Sequence, residues 1–253
     1  MKFGWAVFFA STVSINENAC IAARSRFSDA SAYHPIQTTS GWQMARADFA
    51  SLRKALQPST RLTFQIRATF DAPLWGPPLV AQGVYAVQPP ATLRLQLVGS
   101  LGTIVLDVWL QGEAFRWAAP VLGRIERGSS LVALPPGHPV RFLRWWMLQP
   151  LAGTLLHSAM TSSGRFLHTV RAADGALLTV RTGVILTVQR RVQGQSEWLM
   201  SDRQICGHIR YYRSGPPVDL TIQCLGMNAH ASARAFADPD QPPPPLVEPP
   251  ERF

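Results

Sequence analysis

Lysine is almost missing from this chain of 253 residues: Lys2 and Lys54 are the only two among 24 basic residues, which face 15 acidic ones for a net charge of +9. Arginine carries the charge, spread along the chain without a basic run, an RNA-binding aromatic motif or finger spacing, so nucleic acid is not an expected partner. The excess of positive charge favours anionic surfaces such as phospholipid head groups. Catalytic signatures are missing as well. The six histidines, His34, His138, His157, His168, His208 and His230, never stand at zinc-helix or finger spacing. There is no Gly-x-Ser-x-Gly elbow, phosphate loop or dinucleotide fingerprint, and Gly99-Ser100-Leu101-Gly102 reads as a hairpin turn. The expectation is a protein that is not an enzyme, with no metal and no cofactor. Asp107, a carboxylate inside a strand pattern, reads as a polar outward residue.

Long apolar runs are also scarce. The N-terminal FGWAVFFASTV after Met1-Lys2 is too short for a bilayer, which needs about 20 residues, but it suits the core of a secretory signal. Residues 1–20 are therefore expected to be a signal peptide. Asn18-Ala19-Cys20 resembles the lipobox of bacterial lipoproteins, whose Cys is acylated, although Glu17 stands where that motif wants an apolar residue. Lipidation at Cys20 and a soluble periplasmic product both remain open, and the expected location is the periplasm or outer membrane. Residues 21–40 lack periodicity and read as a flexible linker, and 227–253, ending in DQPPPPLVEPPERF, as a disordered Pro-rich tail.

What is present is β pattern. Hydrophobic residues make up 47% of the chain, enough for a sizeable core, and 41–226 is expected to be one domain. In RLTFQIRATF at 61–70, Leu62, Phe64, Ile66, Ala68 and Phe70 alternate with polar residues, as in a half-buried strand. LVAQGVYAV at 79–87, ATLRLQLV at 91–98 and GTIVLDVWLQG at 102–112 follow after short breaks, giving a meander. Before it, Ala45, Phe49, Leu52 and Leu56 recur at helical spacing and Pro58 closes the segment, predicting an amphipathic helix over 42–56. After it, AFRWA at 114–118 reads as a strand and VRFLRWWMLQ behind Pro139 as a short helix stopped near Pro150, which LAGTLLHSAM extends by a turn or two. A second β block opens at Arg165, with Asp174-Gly175 as its hairpin signal. The fold class is α+β: an antiparallel, incompletely closed β-barrel of about ten strands wrapped over one or two helical segments.

This order of elements, and the passage Gly83-Val84-Tyr85-Ala86-Val87, Pro89-Pro90, Leu93-Arg94-Leu95, then Gly102 and Asp107-Val108-Trp109-Leu110-Gln111-Gly112-Glu113, resembles the LolA and LolB family of lipoprotein carriers and receptors. The specific part lies within 61–117. The resemblance implies a half-barrel whose apolar concavity shelters acyl chains of a lipid or lipoprotein. The inward, lipid-binding set it points to is Leu62, Phe64, Ile66, Phe70, Tyr85, Val87, Leu93, Leu95, Leu97, Ile104, Leu106, Val108 and Trp117. A closed core without ligand is the competing reading, and a structural envelope lipoprotein or an orphan enzyme on the same fold are the competing functions. Leu74 and Trp75 in DAPLWGPP sit where the receptor carries a protruding loop, which makes the membrane surface a second expected partner; Trp145 and Trp146 suit a lid, membrane contact or plain packing. A monomer is expected.

Cys206 and Cys224 remain as a pair once Cys20 is set aside, as suits an oxidising compartment. Equal spacing from Gly215 sets them opposite one another. Matching the apolar faces, Ile205, Ile209 and Tyr211 against Val218, Leu220 and Ile222, turns Cys224 inward and Cys206 outward, and a bulge near Gly207 reconciles the two and permits a disulfide. For the loop, Trp75→Glu is expected to weaken flotation with anionic vesicles while the melting temperature stays within a few degrees; a large loss of stability instead makes Trp75 a core residue.

Overall fold

The computed structural model describes residues 33–71, 78–130, 134, 138–214, 217–228 and 231–241. Cys20, Leu74 and Trp75, the signal segment, most of the linker and the proline run lie outside them. Among the described residues the chain builds one antiparallel sheet of 14 strands, more than the ten expected, which does not close. A two-residue strand β1, His34–Pro35, leads into helix α1, Thr39–Leu56. A meander follows: β2 Leu62–Asp71, β3 Leu79–Gln88, β4 Thr92–Val98, β5 Ile104–Gln111, β6 Ala114–Ala119 and β7 Arg124–Gly128. Then comes a short helix α2, Pro139–Phe142, running into a wide π turn, Leu143–Leu148. The second meander is β8 Thr154–Met160, β9 Phe166–Arg171, β10 Leu177–Arg181, β11 Leu186–Val192, β12 Gln195–Ser201, β13 His208–Ser214 and β14 Pro217–Asn228. The two meanders are joined by the pairing of β14 with β2, so the spatial order runs from β1 and β8 through β14 to β2 and on to β7.

The helices lie on the inner face. The Thr38 side chain caps α1 by accepting from the Gly41 amide, and the helix buries Ala45, Phe49, Leu52 and Leu56 as the i, i+4 pattern requires. Phe49 meets the His168 ring of β9 edge-on at 5.4 Å. From the segment 139–148, Val140, Phe142, Leu143, Trp146, Met147 and Leu148 are buried in the same core. LAGTLLHSAM departs from the expected helix: Thr154–Met160 is strand β8, and a register shift between Leu155 and His157 breaks the alternation that would have marked it as one. A glycine is required at position 83: a Cβ there would lie 1.9 Å from the Gln96 carbonyl oxygen of β4, closer than any side chain permits.

The Cys206–Cys224 disulfide is present, with the two Cα atoms 5.2 Å apart. The β13–β14 register follows the apolar faces: Ile209 is opposite Ile222 and Tyr211 opposite Leu220. The Cys224 amide donates to the Gly207 carbonyl, and Cys206 reaches across from the irregular stretch just before β13. A register shift nearby lies in the pairing of β14 with β2, between Cys224 and Gly226. Closing an 18-residue separation is worth roughly 3 kcal/mol in the loop-entropy model.

Part of the outer face of the first meander is covered as well. Residues 231–241 form a strap whose Phe236 is buried and whose Phe236 carbonyl accepts from the Trp109 indole nitrogen at 2.9 Å. Arg127 pairs with Asp238 and Asp240, and Arg116 bridges Asp240 at 2.8 Å and Asp107 at 3.1 Å. Asp107 thus faces outward, as read from the sequence, but lies beneath the strap between Arg94 and Arg116; burial pushes its carboxyl above the usual range despite both guanidiniums. Hydrogen bonds from Arg127 hold Asp238 below that range. A depressed carboxylate contributes stability above its unfolded pKa of about 4 and loses it as pH falls through the folded value. Amides of 233–241 are therefore expected to exchange faster, relative to intrinsic rates, as pH falls below about 4, and Asp238→Asn to do the same at neutral pH. Unchanged protection in both cases means the ion pairs do not hold the strap.

Candidate binding cavity

Alternation decides what the concave side offers. Cross-strand partners Phe64 and Tyr85, Tyr85 and Leu95, Leu95 and Val108, and Val108 and Trp117 share one face, so the inner row runs straight across five strands. Phe64, Ile66, Tyr85, Val87, Leu93, Leu95, Leu97, Val108 and Trp117 are buried; Leu62, Phe70 and Leu106 are partly buried against the same core. Ile104 breaks the pattern. Val98 pairs with Ile104 but Leu97 pairs with Leu106, so Val105 is an extra residue in β5. The bulge turns Ile104 out to 40% exposure and sends Val105 inward in its place. Strict alternation had no means of showing it.

The row divides into two parts. At one end the segment 139–148 fills the space: Phe64 stacks on Tyr85 with centroids 4.9 Å apart, and the Tyr85 hydroxyl donates to the Met147 carbonyl at 2.6 Å. Burial pushes the Tyr85 hydroxyl far above its ordinary pKa, so it remains a donor. At the other end a cavity of about 190 Å³ stays open. Ile66, Phe70, Leu95, Leu97, Leu106 and Trp117 from the expected set line it, with Phe142 and Leu143 forming its helical wall. Leu62, Phe64, Tyr85, Val87, Leu93 and Val108 of that set do not line it. Val121 and Leu122, in a short 3-10 turn after β6, line the cavity while remaining 66% and 46% exposed. They fringe its mouth, and Pro78 and Leu79, the residues that follow the DAPLWGP loop, line it too. The sequence reading passed over Val121 and Leu122, although two large apolar residues between Pro120 and Gly123 are a visible signal.

The second meander carries charge on its inner face. Arg190, Glu197 and Arg213 are cross-strand neighbours on β11, β12 and β13, each at most 3% exposed. Arg190 donates to Glu197 at 3.0 Å and pairs with Asp174 in the β9–β10 turn, and its guanidinium lies 5.4 Å from the centre of the Trp145 ring. Trp145 is thus packed on an arginine and Trp146 is buried. Histidine also gains company that the sequence concealed: His168 contacts Ser158 at 2.9 Å through Nδ1 and Asp48 at 3.0 Å through Nε2. Ser158 and His168 are both completely buried, and the trio ties α1 to β8 and β9. Among the described residues no group of three or more His, Cys, Asp or Glu side chains is arranged to hold a metal, and no helix is long and apolar enough to cross a membrane.

No protein-family model and no curated protein matches the sequence. Among solved structures, a LolA superfamily protein from Nitrosomonas europaea superposes with a TM-score of 0.53 at 8% identity, over 76% of this chain and 97% of that one. An outer membrane lipoprotein-sorting protein domain from Vibrio parahaemolyticus matches over 75% of this chain and 94% of its own, at 9% identity and a TM-score of 0.42. At such identities the likeness is one of fold: the chain has a LolA-like fold.

Facing can be tested directly. Phe64→Asp puts an unpaired carboxylate where 1% of the side chain is exposed and is expected to destabilise by several kcal/mol, whereas Gln65→Asp on the outer face of β2 should change stability by about 0.5 kcal/mol or less. Equal loss in urea denaturation by the two variants reverses the facing.

Proposed function

We propose that this protein is an envelope carrier that shelters an acyl chain of a lipid or lipoprotein in the apolar cavity between β2–β6 and the segment 139–148. One observation carries the reading: a cavity lined almost wholly by apolar side chains opens to the surface through an exposed apolar rim. Water in such a space finds few partners. Each methylene that replaces it is worth about 0.8 kcal/mol. The cavity accommodates part of a chain as it stands. A longer one enters when Phe142 and Leu143 give way, which makes the helical segment the moving wall. A carrier must also release its cargo, and a shallow cavity with one mobile wall releases faster than a deep sealed one.

The LolA-like fold supports the same reading, since it is the fold that the sequence resemblance to lipoprotein carriers and receptors implied. Export by the signal at 1–20, a lipid anchor at Cys20, membrane contact through Leu74 and Trp75, and action as a monomer complete the proposal. Nothing in it requires catalysis or a cofactor. The alternative is an envelope protein of purely structural role, favoured by how much of the inner row the segment 139–148 already fills.

Delipidated protein should bind a fluorescent fatty acid saturably. Val121→Asp, at a position 66% exposed, should weaken that binding about tenfold, the equivalent of fewer than two buried methylenes, with the melting temperature within a few degrees. Absence of saturable binding by the unmodified protein leaves the structural role.

A further inference from the structure

The segment 139–148 has a second side. Opposite Phe142 and Leu143, a cleft of about 240 Å³ lies between Arg141, Arg144, Trp145 and Gln149 on the segment and the turn after β9, with Arg190 among its lining residues. Arg190 is 2% exposed, and its two terminal nitrogens are occupied by Glu197 and Asp174. Its Nε–H is not: that nitrogen and the Trp145 Nε1 are buried and meet no acceptor among the described residues. Two buried donors, carried by side chains that stack on one another and line the same cleft, are costly unless something with free lone pairs enters. The charges agree. Arg141, Arg144 and Arg190 stand against Glu113 and Asp174 in the cleft lining, which leaves one positive charge uncompensated; Glu197 and Arg213 behind them cancel.

We infer that this cleft binds a phosphate group. A phosphate monoester dianion brings only acceptors, on three free oxygens in a tetrahedral array, which suits the Arg190 Nε–H, the Trp145 indole N–H and the Arg144 guanidinium better than the two coplanar oxygens of a carboxylate. An apolar ligand leaves both orphan donors unsatisfied. Arg144 now pairs with Glu113 at the rim, 28% exposed, and is free to exchange that partner for an incoming oxyanion. The site stands whether or not the apolar cavity takes an acyl chain. The phosphate can be the monoester head of an amphiphile or be free in solution.

The test follows the Trp145 indole resonance, assigned by its loss in Trp145→Phe, in nitrogen-15 spectra of the full chain. Three titrants are compared: inorganic phosphate, dodecyl phosphate, and uncharged dodecyl maltoside. We expect a saturable shift of this resonance with at least one phosphate compound and none with the maltoside, and Arg144→Gln to weaken the response about tenfold. A shift with inorganic phosphate assigns the site to the free anion, and a shift with dodecyl phosphate alone assigns it to a phosphate-headed amphiphile. The inference is overturned if neither phosphate moves the resonance, if the maltoside moves it equally, or if Arg144→Gln binds as the unmodified protein does.

Discussion

A curved antiparallel sheet has a concave face that something must cover, and here ten residues, 139–148, do most of the covering for the first meander. One buried hydrogen bond, from the Tyr85 hydroxyl to the Met147 carbonyl at 2.6 Å, ties this segment to β3. The carbonyl belongs to a wide turn in which the Gln149 amide reaches back to the Arg144 carbonyl, and such turns are locally less regular than an α-helix. Losing Tyr85 would leave a buried carbonyl without its partner and release the wall of the cavity in the same stroke. The cavity, the cleft behind it and the packing of both tryptophans all depend on where this segment sits.

The sheet is covered on both sides over β5 and β6, which is unusual for an antiparallel meander. Inside lies the apolar row; outside, the strap covers Trp109, Ala118 and Asp107. An edge as exposed as β7 invites pairing with other chains. Arg127 answers this by tying the edge strand to Asp238 and Asp240, so the strap closes off a flank that the concave filling leaves untouched.

Much of this was legible in the residues. Period-2 alternation placed β2 to β6 and their inner row, period 3.6 placed α1, and Asp174-Gly175 placed a hairpin, because in each the local pattern and the tertiary facing agree. The failures come where one extra residue breaks the period. Val105 displaced Ile104 from the inner set, and the register shift after Leu155 disguised β8 as helix. Counting set Cys206 and Cys224 opposite one another while facing set them on different sides, so the residues permitted the disulfide without deciding it. Partnerships across long separations were invisible: Ser158, His168 and Asp48, the Arg190–Glu197–Arg213 row, and the strap on Trp109 share no sequence neighbourhood and arise from topology alone. The cavity's limits depended on which inner residues the segment 139–148 covers, a packing outcome without a periodic signature.

The joint between the two meanders lies between β2 and β14, the first long strand and the last. While the chain is being made, β2 therefore has a free edge until residues near 228 emerge, and the first meander can fold as a sheet but cannot be sealed. Loop closure over that separation makes the final pairing the slow, non-local step.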